Sequence, residues 1–229
     1  NQAQREVVIK NNLNSAYIRP MCFYGSEGMG LRADNLKVHV MIAAWEWGSY
    51  LGEDNMKNGI RIRTSSYIRH HAHPSLSGAK MNGNYINSMM ALKEAQDHGF
   101  DEALMLDVEG FVSEGSGENI FVIKDEVIYT PHLTSALPGI TRDTIFTLAK
   151  SLGYEIIEKK ISCDDIYTAD EAFFTGTAAE VTPIRDLDGN QIGKGSRGLI
   201  TEKLQALYFD CVHGRNDEYL HWIENGRCS

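Results

Sequence analysis

Between Ser77 and Tyr85 the chain reads Ser-Gly-Ala-Lys-Met-Asn-Gly-Asn-Tyr, a glycine-punctuated approach to a single lysine that runs at once into a helical pattern. Gly78 and Gly83 work against regular structure around Lys80 and let backbone or ligand approach closely. Beyond them Ile86, Met89, Met90 and Leu92 recur at helical spacing as far as the His98-Gly99 stop, which predicts Met89 and Met90 in the core. Lys80 therefore stands in a turn at the head of a helix. Two readings of such a lysine stay open on these residues: a solvated loop cation, the ordinary fate of lysine, or an amine desolvated among small residues that attacks a carbonyl.

Ahead of this junction the pattern is extended. Ala16 to Tyr24 alternates so that Tyr17, Arg19 and Met21 share one strand face, and Val38, Val40 and Ile42 give Lys37 to Trp45 the same period. The stretch Gly25-Ser26-Glu27-Gly28-Met29-Gly30 between them is too rich in glycine for regular structure. Met29 and Leu31 at its tip are apolar where a loop is normally polar. Trp45, Trp47 and Tyr50 crowd the exit from the second strand; such rings either pack as core or, at a chain reversal, wall a pocket. Ile60/Arg61/Ile62/Arg63 opens a half-buried strand over 60–67. His70, His71 and His73 have no Cys or acidic partner at ligand spacing, and Pro74 makes their stretch a loop, so no metal site is expected there.

Behind the junction, Glu102 to Val108, Asn119 to Ile123 and Val127 to Thr130 read as a strand meander with a turn at Glu109-Gly110. Glu114 sits in a glycine-serine loop, where a glutamate is ordinarily solvated. Leu137-Pro138-Gly139 opens a helix from Ile140 to Leu152 whose free N–H groups suit an anion. Tyr154 to Ile161 reads as a strand, and Ser162 to Asp165 as a capped helix start. Glu171 to Thr175 runs into Gly176-Thr177-Ala178-Ala179, small residues that expose backbone N–H groups and one hydroxyl. Residues 199–212 form an amphipathic helix, and Trp222 near the tail is expected to pack on the core. Strands and helices in mixed order imply an α/β fold.

A net charge of −9, from 22 basic and 31 acidic residues, argues against nucleic acid or an anionic membrane as partner. Small molecules and proteins remain. Cys22, Cys163, Cys211 and Cys228 lack CxxC spacing and read as thiols of a reducing cytosol, and no apolar run reaches transmembrane length. Asn1 is not an initiator Met, and Arg5 to Asn12 reads as the last turns of a helix already under way, so the chain is read as a fragment lacking an upstream segment.

Four motifs stand in order: the Lys80 stretch, Ser113-Glu114-Gly115-Ser116-Gly117-Glu118-Asn119, Leu137-Pro138-Gly139-Ile140-Thr141-Arg142-Asp143, and Gly176-Thr177-Ala178-Ala179-Glu180. In that order and spacing the chain resembles the class IV, fold-type IV aminotransferases that use pyridoxal phosphate, most closely the bacterial branched-chain amino-acid aminotransferases. The resemblance covers nearly the whole chain. It implies an α/β fold in which the end of a small N-terminal domain (1–48) passes through a linker (49–58) into a larger pseudo-barrel domain (59–229), with the cofactor between the two. It also implies that an arginine gripping the cofactor phosphate precedes Asn1.

The resemblance carries roles onto these positions one by one. Lys80 matches the Schiff-base lysine that also moves the proton between substrate Cα and cofactor. Tyr85 matches the hydrogen-bond donor to the cofactor's phenolate oxygen, and Glu114 the carboxylate beside its pyridine nitrogen. Leu137 matches a residue against the ring face; Ile140, Thr141 and Thr177 match phosphate contacts. Tyr17, with the amides of Thr177 and Ala178, matches the site of the substrate α-carboxylate, and Arg19 the contact to the distal carboxylate of glutamate or 2-oxoglutarate. Trp47 and Tyr50 match the wall around a branched aliphatic side chain. Met29 and Leu31 match residues that complete a neighbouring subunit's pocket, which implies a homodimer or higher homo-oligomer; a cytoplasmic location is expected from the scattered thiols. The implied reaction exchanges the amino group of L-leucine, L-isoleucine or L-valine with 2-oxoglutarate. D-amino-acid transaminase and aminodeoxychorismate lyase share the fold, the former disfavoured by Tyr17-Ile18-Arg19-Pro20 and Trp45-Glu46-Trp47-Gly48. A non-catalytic remnant that binds the cofactor or a metal is the alternative from another class.

Overall fold

A computed structural model describes residues 1–48, 51–52 and 54–223. The chain divides into two units, Asn1–Tyr50 and Leu51–Ile223. In the first, helix α1 (Gln2–Lys10) stops at Asn11-Asn12, where Asn12 takes a positive φ of 53°, a conformation asparagine tolerates better than most residues. Strands β1 (Tyr17–Tyr24) and β2 (Val38–Trp45) then pair antiparallel, from Tyr17 opposite Trp45 to Tyr24 opposite Val38. No described residue of this unit is buried, and Met29 and Leu31 in the loop between the strands are fully exposed.

The second unit is built on one mixed sheet. A single turn, α2 (Asn55–Asn58), leads into β3 (Ile60–Thr64), and a second, α3 (Ala72–Ser75), precedes α4 (Tyr85–Asp97). The segment read as a loop around Pro74 thus contains one helical turn, which proline tolerates because first-turn N–H groups have no intrahelical acceptor. Strands β4 (Glu102–Leu106), β5 (Val112–Gly115), β6 (Asn119–Lys124) and β7 (Val127–Thr130) follow as a meander. Then come α5 (Ile140–Ser151), β8 (Ile156–Glu158), α6 (Cys163–Tyr167), β9 (Glu171–Gly176), β10 (Glu180–Leu187), β11 (Asn190–Gln191) and α7 (Leu199–Val212). The strand order is β5-β4-β3-β10-β9-β6-β7-β8, with β11 on β10. Although β5 is an edge of that order, it passes through Ser116-Gly117 straight into β6, where Gly115 N–H donates to Glu118 O at 2.7 Å. The sheet therefore curls, and the turn over 116–118 sits where its two halves meet; Glu114, expected in a loop, is instead a residue of β5 paired with Met105.

Both faces of the sheet are covered, which explains the unbroken apolar runs. In β6, Ile120 and Val122 pack with Ile60, Ile62, Leu104 and Phe174 on one side, while Phe121 and Ile123 pack with Phe173, Ile145, Leu148 and Leu204 on the other, under α5 and α7. Each such side chain, fully buried, contributes roughly 1.5–3 kcal/mol. Helix α5, whose N-terminus faces the site, is held at its base by Arg142, which pairs with Glu158 and donates to Pro131 O at 3.2 Å.

Two core assignments read from the sequence are corrected. Met89 is 67% exposed and Met90 44%, whereas the buried side of α4 is Ser88, Ala91 and Ala95 against Ala103 and Met105. Small residues let helix and sheet approach closely but contribute little to a hydrophobic stripe, so the larger apolar residues on the outer side dominated the pattern. At the tail, Tyr219 is buried in a 3-10 segment (Asp217–Trp222), and Trp222, 42% exposed, lies against it at 4.4 Å between ring centroids. The strand expected over 154–161 is also shorter, since only Ile156–Glu158 pairs, with β7.

Candidate active site

The loop ahead of α4, the β5–β6 turn, the N-terminus of α5 and the end of β9 converge on one cavity of about 260 Å³ within the second unit. Lys80, Tyr85, Glu114, Leu137, Ile140, Thr141 and Thr177, seven residues up to 97 positions apart in sequence, all line it. Ala178 follows Thr177 but is not among the lining residues. Lys80 Nζ lies 5.7 Å from the centre of the Tyr85 ring and makes no ion pair with a carboxylate among the described residues. A side chain at Gly78 would meet nothing within 4 Å, so the glycine leaves the space before Lys80 open.

Glu114 is the most constrained group of the site. It is 3% exposed, and its Oε2 accepts from Leu137 N–H at 2.9 Å and from Asn119 Nδ2 at 3.3 Å. Its Oε1 approaches Arg69 Nε at 2.6 Å as an ion pair, but the contact is not aligned as a hydrogen bond, and neither atom has a hydrogen-bond partner among the described residues. Burial pushes the carboxyl up to about 7; Arg69, the Leu137 amide and Lys80 oppose that rise. Asn119 Nδ2 also donates to Leu137 O at 2.9 Å, and a side chain at Gly139 would collide with Asn119 Oδ1. The Leu137-Pro138-Gly139 loop is thus fastened to the same stretch that carries Glu114, which couples the carboxylate to the start of α5.

Four features fit pyridoxal phosphate. A buried carboxylate oxygen lacking an aligned donor suits the N–H of a protonated pyridine. The first amides of α5, beginning after Gly139, together with the Gly176-Thr177 turn, offer N–H groups and a helix N-terminus to a dianion. Thr175 Oγ1, buried beside them, has no hydrogen-bond partner among the described residues. Lys80 and Tyr85 then supply an amine and a phenol on the remaining wall.

Sequence reading missed Arg69, which lies one residue before the histidine run that drew attention, and gave no role to Glu118 or Asn119. Glu118 lines the cavity, and burial together with the like charges of Glu102 and Glu114 holds it well above the ordinary carboxylate range. Glu102, 0% exposed, is raised to about 7, chiefly by burial. Glu102 binds its proton more tightly folded than unfolded, so the folded state is favoured below the unfolded value of 4.5 and loses that advantage as pH climbs through about 7; Glu118 is shifted in the same direction. Thermal denaturation is accordingly expected to show a melting temperature that declines between those limits, and Glu102→Gln, a permanently neutral isostere, is expected to flatten the decline. Parallel curves for the two chains would refute this source of the pH dependence.

In the first unit, Tyr17, Arg19, Trp45 and Trp47 form a cluster of their own. The Tyr17 ring lies 5.1 Å from that of Trp45 and 4.6 Å from that of Trp47. Arg19 Nη2 donates to Tyr17 Oη at 3.3 Å, and its guanidinium stands 5.3 Å and 5.7 Å from the Tyr17 and Trp45 ring centres. Arg19 is exposed and pairs with no carboxylate among the described residues. Tyr50 lies outside the described residues. No group of three or more metal-ligating side chains occurs among the described residues; His71 and His73 stack on one another at 5.2 Å.

Comparison with known proteins bears on these residues. The family model for amino-transferase class IV matches residues 1–187. A branched-chain-amino-acid aminotransferase of Pseudomonas aeruginosa is 63% identical over 222 residues, spanning 97% of this chain and 72% of the relative. Among solved structures, the branched-chain amino acid aminotransferase of Escherichia coli superposes with a TM-score of 0.95 at 44% identity, over 99% of this chain and 75% of that one. That of Thermobaculum terrenum, in its PLP-bound holo-form, superposes with a TM-score of 0.91 at 32% identity, over 99% of this chain and 74% of that one.

Proposed function

The chain belongs to the class IV aminotransferases, and from that membership we infer that it catalyses reversible transfer of the amino group of L-leucine, L-isoleucine or L-valine to 2-oxoglutarate, with pyridoxal phosphate as cofactor. The observation that carries this reading is the convergence of Lys80, Tyr85, Glu114 and the α5 N-terminus on one cavity in which a buried carboxylate oxygen lacks an aligned donor. The test is a coupled assay of 2-oxoglutarate-dependent glutamate formation from each branched-chain amino acid. Pyruvate as the product would instead indicate the lyase reaction of the same fold, and turnover restricted to D-amino acids the D-specific transaminase.

Bound pyridoxal phosphate supplies a carbonyl that takes up the amino group and a protonated ring that withdraws electrons from the substrate Cα. The chain's own residues have separable tasks. Lys80 Nζ would hold the cofactor through its amine and, when free, would carry the proton from and to the substrate Cα. Tyr85 donates its phenolic hydrogen to the cofactor's phenolate oxygen. Glu114, when ionised, would stand beside the ring nitrogen and retain the proton there. Leu137 would pack on the ring, and Ile140, Thr141 and Thr177 would hold the phosphate through N–H and hydroxyl donors.

Tyr17 and the Thr177 and Ala178 amides are assigned to the substrate α-carboxylate, and Trp47 and Tyr50 to its aliphatic side chain. Arg19 is assigned to the distal carboxylate of the five-carbon acids, supported by the absence of an ion-pair partner among the described residues and by its seat on Tyr17 and Trp45. Arg19→Ala is expected to raise KM for glutamate and 2-oxoglutarate about tenfold or more, from roughly 1.5–3 kcal/mol for a charged hydrogen bond. The half-reaction with leucine changes much less. Stopped-flow rates that fall by one common factor in both half-reactions would make Arg19 a structural strand residue.

The same reading keeps 1–48, 49–58 and 59–229 as the end of the small domain, the linker and the large domain. It gives a homodimer or higher homo-oligomer, supported by the full exposure of Met29 and Leu31 and by the exposed Ile86, Met89 and Met90, and testable by sedimentation. It places the protein in the cytoplasm, supported by thiols without CxxC spacing; among the described residues no helix is long and apolar enough to cross a membrane.

A further inference from the structure

The proposed chemistry needs Glu114 ionised, yet its site is one that favours the neutral acid, because burial dominates its environment. The groups around it are few. Lys80 stands across the cavity from the loop ahead of α4; Glu118, at the foot of β6, is a like charge whenever it ionises; Leu137 N–H and Asn119 Nδ2 donate to Oε2. The remaining group is Arg69, in the loop after β3. It is 7% exposed, its backbone N–H donates to Leu106 O at 2.7 Å, and its Nη1 donates to Ser88 Oγ of α4 at 3.0 Å. Both ends of the residue are therefore anchored, and Nε is left facing Glu114 Oε1 at 2.6 Å.

We propose that Arg69 is a positioning residue for the cofactor's ring nitrogen: it acts through Glu114, fixing the direction of the carboxylate and keeping it ionised. This rests on the reading that the cavity binds pyridoxal phosphate. Two features of the geometry favour it. The ion pair is close but not aligned as a hydrogen bond, so the guanidinium supplies its field without filling the acceptor direction that a pyridinium N–H would use. A bidentate, aligned pair would saturate the carboxylate instead. Arginine also meets a requirement that lysine does not, since a planar, permanently charged fork reaches Ser88 with one nitrogen while another faces Glu114.

The test measures equilibrium binding of pyridoxal phosphate across pH in five chains: wild type, Arg69→Met, Glu114→Gln, the double variant and Arg69→Lys. Isotope-edited infrared spectra of the glutamate carboxyls in the cofactor-free chains give a second readout. Lys80 is common to all five, so its own contribution cancels. In the wild type, ionisation of Glu114 near pH 7 strengthens binding as pH rises. Arg69→Met is expected to move that midpoint alkaline by about one unit or more, weakening binding roughly tenfold at neutral pH, with a matching shift in the infrared titration. In the Glu114→Gln background the same substitution leaves the pH profile unchanged. Arg69→Lys keeps a charge but loses the Ser88 tether, so a smaller alkaline displacement is expected. It decides the matter if Arg69→Met does not fold. A wild-type midpoint in either Arg69 variant, or an equal displacement with and without Glu114, overturns the assignment. If the wild type binds no pyridoxal phosphate at any pH, the functional reading fails and takes this inference with it.

Discussion

Replacing Lys80 by alanine is expected to abolish turnover while leaving the phosphate end of the site able to hold pyridoxal phosphate non-covalently. Loss of the proton carrier alone removes on the order of 10²–10⁴ in rate, and the covalent anchor goes with it. The assignment is specific because Lys80 is the one lysine among the described residues that lines the cavity, whereas Lys93 pairs with Asp97 and Lys124 with Asp170, at 3.0 Å, on the surface. Borohydride treatment of the wild type in the presence of pyridoxal phosphate, followed by peptide mass spectrometry, is expected to place the cofactor mass on Lys80. Its recovery on Lys93 or Lys124, or a Lys80→Ala chain that still turns over, would remove Lys80 from the mechanism.

Glu114→Gln is expected to keep the covalent attachment but lose most of the activity. A neutral amide offers the ring nitrogen no negative charge, and a ring without its proton withdraws electrons poorly from the substrate Cα. Each pKa unit by which the ring nitrogen falls is worth about 1.4 kcal/mol, so a fall of two to three units corresponds to roughly 10²–10³ in the protonated fraction. Gln retains an oxygen to accept from Leu137 N–H and Asn119 Nδ2 but leaves the buried Arg69 guanidinium without its carboxylate, so a melting curve of the variant accompanies the assay. Single-turnover measurements with leucine separate this from a binding defect: slow chemistry at saturating substrate supports the role, whereas near-normal turnover would reduce Glu114 to a structural residue of β5.

Much of the site was legible in linear order because its parts are local devices. A lysine between glycines ahead of a helix, a glycine at the entrance to α5, and a small-residue turn after β9 each declare their conformation through nearest-neighbour sterics and hydrogen bonding. Their convergence was reached through resemblance to a family, and the structure then brought seven of the named residues to one cavity. Tyr17, Arg19 and Trp47 were read as sharing a strand face and the turn beyond it, and they do cluster, since alternation along β1 and its pairing with β2 leave little choice.

What the sequence determined, then, was the set of short-range features: where strands alternate, where helices start and stop, and which side chains carry reactive groups. Which face of α4 is buried was not among them, because Ser88, Ala91 and Ala95 owe their burial to a close approach by β4 that no pattern within the helix encodes. Arg69 escaped for a related reason. Its importance lies in a 2.6 Å approach to a carboxylate 45 positions away, and it anchors to Ser88 on a third segment. The charge states of Glu102, Glu114 and Glu118 likewise depend on desolvation, a property of everything packed around them. Chemical identity is local to the chain, but burial, distance and field are properties of the folded surroundings, so only the tertiary structure turned a glutamate that reads as solvated into a buried β5 carboxylate with one acceptor direction left unused.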